Sequence, residues 1–224
     1  MENIAFLTGI ANDFDVELAR ILSENGYKVY SRDTGKGAEA AGFVTIINFD
    51  PDNSESIGNA CQELLNNPGH IDLYIETADC RLEDDKFAVF DDVDFDLIKL
   101  TYTENVLRPI GIFENFLPLI KKGSLKRCCF ITSANASINQ NTDTTGYAYN
   151  MSKAGLHNFL QITKNKLVSQ GFSFRAYDPS LSRLSAEKSG KSAYYYFIRR
   201  RGIEGRDDEP NLKIRDAFGR EYSW

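Results

Sequence analysis

Short β-like runs alternate with helix-period segments along almost the whole chain, and few folds satisfy that order. The runs are "IAFLT" (4–8), "YKVYS" (27–31), "FVTII" (43–47), "IDLYI" (71–75), "RCCFIT" (127–132), "FSFRAY" (172–177) and "NLKIRD" (211–216). After the first run, Val16, Ala19 and Leu22 recur at helical spacing before a stop at Gly26. Further helices are expected over 54–67, closed by Pro68-Gly69, over 95–121 with Pro109 as a kink, over 147–169 closed by Gly171, and over 189–201. Residues 79–92 are acidic and read as loop. Strands separated by helices return parallel through right-handed crossovers. The expected fold class is therefore α/β, a doubly wound parallel sheet of about seven strands with helices on both faces. No linker, repeat or low-complexity stretch divides residues 1–224, so a single domain is expected. Ligands of such sheets lie beyond the carboxyl ends of the strands. Gly9, Thr77, Ser133 and Pro179 all fall just past predicted strand ends.

The formal net charge of −6 argues against non-specific binding to nucleic acid or to an anionic membrane. No apolar run approaches the ~20 residues a membrane span needs. "MENIAFLTG" lacks the basic region, apolar core and cleavage site of a signal peptide and reads as a buried first strand, so the cytoplasm is the expected compartment. Cys61, Cys80, Cys128 and Cys129 lack zinc-site spacing and are expected as small buried apolar residues in a reducing compartment. Cys128 and Cys129, adjacent in a strand, should point to opposite faces. His70 lies in a turn signal and His157 on a helix, and no metal site is expected from them.

The segment "YNMSKAG" (149–155) carries the strongest chemical signal. Tyr149 and Lys153, at i and i+4 near the start of a helix, share one face. A phenol titrates near 10, and an ammonium beside it stabilises the phenolate and lowers that value. Such a tyrosine exchanges a proton with a carbonyl or alcohol oxygen near neutral pH. Alone, the pair is equally a tyrosine packed on a sheet beside a snorkelling lysine. Its company raises the chemical reading: Ser133 follows the fifth strand as "ITS", and Asn105 sits in a helical pattern to which an amide contributes little.

The order strand–Thr-Gly, "DLYI", "NVLRP", "ITS" and "YNMSK" resembles the short-chain dehydrogenase/reductase family over residues 3 to about 183. The resemblance implies a Rossmann-like sheet and an Asn–Ser–Tyr–Lys tetrad. Tyr149 would be the general acid/base. Lys153 would lower its pKa and bind the nicotinamide ribose, Ser133 would orient the substrate oxygen, and Asn105 would hold a water that relays protons to Lys153. Ser152 matches the family's usual residue before the lysine. Ser133 lies 16 residues before Tyr149, farther than the family usually shows; Ser137, at 12, is the rival, and Ser133 is preferred because it follows the strand directly. The resemblance also implies NAD or NADP as cofactor, a small carbonyl or alcohol substrate, and a homodimer or homotetramer built through the 95–121 and 147–169 helices.

The cofactor end departs from the family pattern. Its first loop is Thr-Gly-x-x-x-Gly-x-Gly, whereas "TGIANDFD" keeps Gly9 and places Asp13 and Asp15 at the other two glycines. A carboxylate about 5 Å from a phosphate charge costs ~3 kcal/mol at an effective dielectric of about 20. Alternatively, Asp13 or Asp15 caps its own helix and takes the amides that a phosphate would meet. The family's Asn-Asn-Ala-Gly reads "ETAD" here, with only Ala78 matching, and its Pro-Gly reads Pro179-Ser180. Asp50 is placed to meet the adenine amino group. Asp33 is placed to accept ribose hydroxyls, which favours NAD, while neighbouring Arg32 suits a 2′-phosphate, so the choice between NAD and NADP stays open. Two functions follow. One is an NAD(P)-dependent oxidoreductase. The other is a catalytically inactive relative with lost or weak dinucleotide binding, acting as a binding or scaffold protein. "RRR" (199–201) reads as a solvated helix end, and Trp224 as packing on the last strand or at a subunit contact.

Overall fold

The computed structural model describes residues 2–180, 183–198 and 211–223. One sheet of eight strands runs in the order β3-β2-β1-β4-β5-β6-β7-β8. The strands are β1 (Asn3–Ile10), β2 (Tyr27–Asp33), β3 (Val44–Ile46), β4 (Leu73–Glu76), β5 (Arg127–Ile131), β6 (Ser173–Asp178), β7 (Ile214–Asp216) and β8 (Glu221–Tyr222). All neighbours pair parallel except β7 and β8, which are antiparallel. The eighth strand is the addition to the seven expected: two residues folding back on β7, too short to leave a periodic signature.

Among the described residues seven α-helices cover the sheet: α1 (Asp13–Glu24), α2 (Gly37–Ala40), α3 (Ser54–Asn66), α4 (Phe95–Tyr102), α5 (Arg108–Lys122), α6 (Tyr147–Leu167) and α7 (Ala186–Ile198). The central strands are apolar at successive positions because helices bury both faces. Phe6, Tyr74, Cys128 and Phe130 enter one core with Phe113, Phe116 and Leu156. Leu7, Ile75, Cys129 and Ile131 enter the other with Phe14, Leu18 and Phe197. Cys128 and Cys129 therefore do point to opposite faces; Cys80 is only half-buried, and all four cysteines are free.

The segment expected as one helix over 95–121 is three pieces: α4, a five-residue π-helical turn at Thr103–Leu107, and α5. Pro109 follows the π-helical turn directly, within a run of helical backbone that continues from α4 through Leu107 and Arg108 into α5. Residues 199–201 and Trp224 lie outside the described residues. Among the described residues no helix is long and apolar enough to cross a membrane.

Candidate active site and cofactor cleft

The carboxyl ends of β1, β4, β5 and β6 bring four loops to one edge of the sheet. Between β1 and α1, Asn12 caps the helix: its side chain accepts the Asp15 amide, and the Asp15 carboxylate accepts the amides of Ala11 (3.0 Å) and Asn12 (3.3 Å). Asp15 is only 1% exposed, and burial pushes its pKa up to about 7 against the pull of those two amides; the charges of Asp79 and Glu76 add to the rise. Asp13 turns outward and pairs with Lys36 Nζ at 3.2 Å. The two acids thus part ways, one to solvent and one beneath the loop. The first-turn amides of Asp13 and Phe14 remain without intrahelical acceptors. Gly9 is required by a close approach: a Cβ there would lie 2.7 Å from Thr34 Oγ1.

A cleft of about 210 Å³ adjoins this helix mouth, lined by Gly9, Asn12, Arg32, Thr77, Ala78 and Asp79 among others. Arg32 reaches it with Nε donating to the Thr8 carbonyl (3.3 Å) and the guanidinium 5.3 Å from the Phe49 ring centre. Burial lowers its pKa, the mark of a cation short of water. The expected places of Asp33 and Asp50 need correction, since neither lines the cleft. Asp33 Oδ1 accepts the amides of Gly35 and Gly37, each at 2.9 Å, and these hold its pKa below the usual carboxylate range. Asp50 is exposed and accepts the Asp52 amide at 2.9 Å. Each closes its own turn. Glu76 ties β1 to β4, accepting from Thr8 Oγ1 (2.6 Å), the Tyr74 hydroxyl (3.0 Å) and the Ala78 amide (3.0 Å), and burial raises its pKa.

Tyr149, Ser133 and Lys153 come together, but around a group that the sequence reading left aside. Lys153, with 0% exposure, donates Nζ to the carbonyls of Ala78 (2.6 Å) and Ile131 (3.2 Å) and meets Asp79 Oδ1 at 2.9 Å. The Tyr149 hydroxyl donates to the same Asp79 oxygen at 2.8 Å, and Ser133 lines the same cavity as Tyr149. Burial first, and then the Asp79 charge, raises the Tyr149 pKa well above 10. The expected lowering by Lys153 is therefore overturned in this arrangement, because Asp79 stands between the ammonium and the phenol. The signal was present in "ETAD", where an acid replaces the family's glycine.

Asn105 lies fully buried in the π-helical turn. Its Oδ1 accepts the Cys80 amide (2.7 Å), and its Nδ2 donates to the Cys80 carbonyl (2.8 Å) and Ser152 Oγ (2.9 Å). The side chain expected to hold a water is committed to tying the 79–92 loop to α6. Ser137 is fully buried and donates to the Ser223 carbonyl, away from Tyr149. A second residue that sequence reasoning missed is Asp85, whose carboxylate accepts the amides of Ala148 (3.2 Å) and Tyr149 (2.8 Å). The N-cap of α6 is Gly146, which has no side chain to offer, so a remote acid does the capping. The missing local cap was the available clue.

Beyond Tyr149 opens a cavity of about 300 Å³, with Ser133, Asp178 and Pro179 in its wall. Asp178 accepts the amides of Ala134 (2.8 Å) and Ser180 (2.7 Å), and burial raises its pKa. His157 is buried against Thr132 Oγ1; burial and Lys153 lower its pKa to about 3, so it stays neutral. Among the described residues no group of three or more His, Cys, Asp or Glu side chains could hold a metal ion.

No protein-family model matches the chain. C-signal of Myxococcus xanthus is 37% identical over 81 residues, 36% of this chain and 49% of that protein. An uncharacterized oxidoreductase of Schizosaccharomyces pombe is 31% identical over 130 residues, 58% of this chain and 50% of that protein. The chain thus spans about half the length of the curated relatives it matches. The NADPH-bound carbonyl reductase from chicken fatty liver superposes with a TM-score of 0.79 at 17% identity, covering 100% of both chains. A short-chain dehydrogenase/reductase from Serratia marcescens superposes at 0.66 and 16% identity, covering 79% of this chain and 73% of that one. By fold the chain is similar to these solved reductases, and Asp13 and Asp15 stand where the resemblance places two glycines of the cofactor loop.

Proposed function

We propose that the chain is an oxidoreductase that transfers a hydride between NADP(H) and a small carbonyl or alcohol substrate. The observation that carries this reading is the convergence of Ser133 and Tyr149 on one cavity, with Lys153 behind them. The curated relatives named as oxidoreductases and the NADPH-bound structural neighbour support it.

The residues present fit a nicotinamide dinucleotide. The amides of Asp13 and Phe14 face a helix mouth suited to a diphosphate. Asp15 is turned inward, and with a pKa of about 7 it is close to half-protonated at neutral pH, which halves its average repulsion of a phosphate. Arg32 lines the adjoining cleft while Asp33 turns away, an arrangement that favours a 2′-phosphate. When bound, the nicotinamide supplies the acceptor or donor of the hydride. Ser133 and Tyr149 hold the substrate oxygen with their hydroxyls. In alcohol oxidation Tyr149 takes the alcohol proton as it releases its own to Asp79 Oδ1, and in carbonyl reduction the proton moves back along the same path. Lys153 offsets the charge that Asp79 carries before it takes the proton in oxidation and after it gives it up in reduction.

A second reading, a binding protein without catalysis, draws on the two acids at the cofactor loops: Asp15 on the amides of Ala11 and Asn12, and Asp79 on Lys153. Calorimetric titration with NADPH and NADH separates the two. NADPH is expected to bind at least tenfold tighter than NADH, and Arg32→Ala to erase the difference. Tyr149→Phe is expected to abolish carbonyl reduction while keeping NADPH affinity. If neither nucleotide binds at millimolar levels, the oxidoreductase reading falls and the binding protein stands.

A further inference from the structure

The cavity next to Tyr149 has a wall that says more about the substrate than the tetrad does. Its lining is mostly polar, and among the described residues Ala134 and Pro179 are its purely apolar side chains. A greasy ketone would leave those polar groups unpaired, so the wall disfavours one. The charges of the wall are not equally available. Asp79 is held by Lys153 (2.9 Å) and by the Tyr149 hydroxyl (2.8 Å). Asp178 is held by two backbone amides. Arg220 is paired with Asp216 at 2.5 Å. Arg81 and Arg183 also line the cavity, and neither has a carboxylate partner among the described residues. The Arg81 guanidinium lies 4.9 Å from the centre of the Tyr149 ring, close to where the substrate oxygen would be handled.

We propose that this cavity takes a small, hydrophilic carbonyl compound, or its alcohol, that carries a carboxylate or phosphate group bound by Arg81 and Arg183. The inference rests on the reading of Ser133 and Tyr149 as the seat of the substrate oxygen. With Asp79 offset by Lys153 and Arg220 by Asp216, Asp178 faces two arginines, and the charge left over is positive. A planar guanidinium matches either anion with two parallel donors. Arg81 near the phenol places the anion within a few bonds of the reacting carbon.

The test uses the full chain without nucleotide, so its outcome is independent of whether NADP(H) binds. Levulinate is titrated against methyl levulinate, and dihydroxyacetone phosphate against dihydroxyacetone, by calorimetry or ligand-observed NMR. The expected result is at least tenfold tighter binding of one anion than of its neutral partner. The better pair tells carboxylate from phosphate. Arg81→Gln with Arg183→Gln is expected to erase that ratio and leave the neutral compound unchanged. Lys121→Gln with Lys122→Gln, on the exposed end of α5, removes the same charge elsewhere and is expected to change nothing. Thermal melts confirm that each variant is folded. Equal affinity for anion and neutral partner, a preference that survives the double arginine variant, or no binding of any of the four at millimolar levels overturns the proposal. If NADPH fails to bind while the anion preference holds, the proposed oxidoreductase reading fails and the anion pocket stands.

Discussion

Asp15 shows how a single side chain can look like an obstacle in sequence and act otherwise in the fold. Its folded pKa of about 7 lies above the ordinary value of 3.8, so the folded state holds the proton more tightly than the unfolded chain does. The stability linked to that proton is fully present below pH ~4 and is lost as pH rises through about 7, on the order of 4 kcal/mol in all. Asp15→Asn keeps an oxygen for the Ala11 and Asn12 amides and removes the charge that also feels Glu76 and Asp79. It is expected to melt higher than the native chain at pH 8, with the gap narrowing as pH falls and closing only below pH ~4 when scanned calorimetrically, and to bind NADPH more tightly at pH 8. Asp13→Gly, by contrast, removes only an exposed partner of Lys36 and should leave nucleotide affinity near native. Asp79→Gly tests the bridge between Tyr149 and Lys153: ultraviolet titration should show one phenol ionising at lower pH than in the native chain, and an unchanged curve would mean that burial alone holds Tyr149 up. The nearness of Tyr149, Lys153 and Ser133 was legible because a helical period and a strand end fix where they must lie. The aims of Asp15, Asp33 and Asp79 were not, because each depends on which amides lie within reach after folding.

At the scale of elements, the alternation of apolar runs and helical periods was enough to read the sheet and most helix limits. The departures are where tertiary contacts replaced local signals. α6 carries Tyr149 and Lys153 but starts at Gly146, in a left-handed conformation with no side-chain cap. Its cap arrives from Asp85, more than sixty residues upstream, inside a loop that reads only as acidic. Asp85→Ala leaves the amides of Ala148 and Tyr149 without that acceptor and is expected to cost about 1 kcal/mol, within the usual range for a lost N-cap. Denaturant unfolding measures it, and turnover should fall with it if the cap also fixes the Tyr149 hydroxyl. The π-helical turn at Thr103–Leu107 has a similar logic: it turns Asn105 inward to hold both backbone groups of Cys80, where a regular helix would carry that amide on a different heading. Period alone cannot reveal one inserted residue within a long helical pattern.

For the whole molecule, the face built from α4, the π-helical turn and α6 is the one left unfinished. Leu100 is 48% exposed, Leu107 54%, Met151 49% and Ile162 60%, more apolar surface on adjoining helices than a solvated face needs. These exposed side chains make the face a candidate subunit contact, and the proposal to test is a homodimer or homotetramer in solution. Sedimentation equilibrium should then give a multiple of the chain mass, and Ile162→Glu should lower that mass by burying a charge at the contact. The same variant separates assembly from folding. A native dimer gains stability by mass action, so its melting temperature should rise with protein concentration, whereas that of Ile162→Glu should not. Because α6 also bears Tyr149 and Lys153, a contact along it would restrain the helix that holds the proposed proton path, and the dissociated variant is expected to lose turnover more than it loses affinity for NADPH.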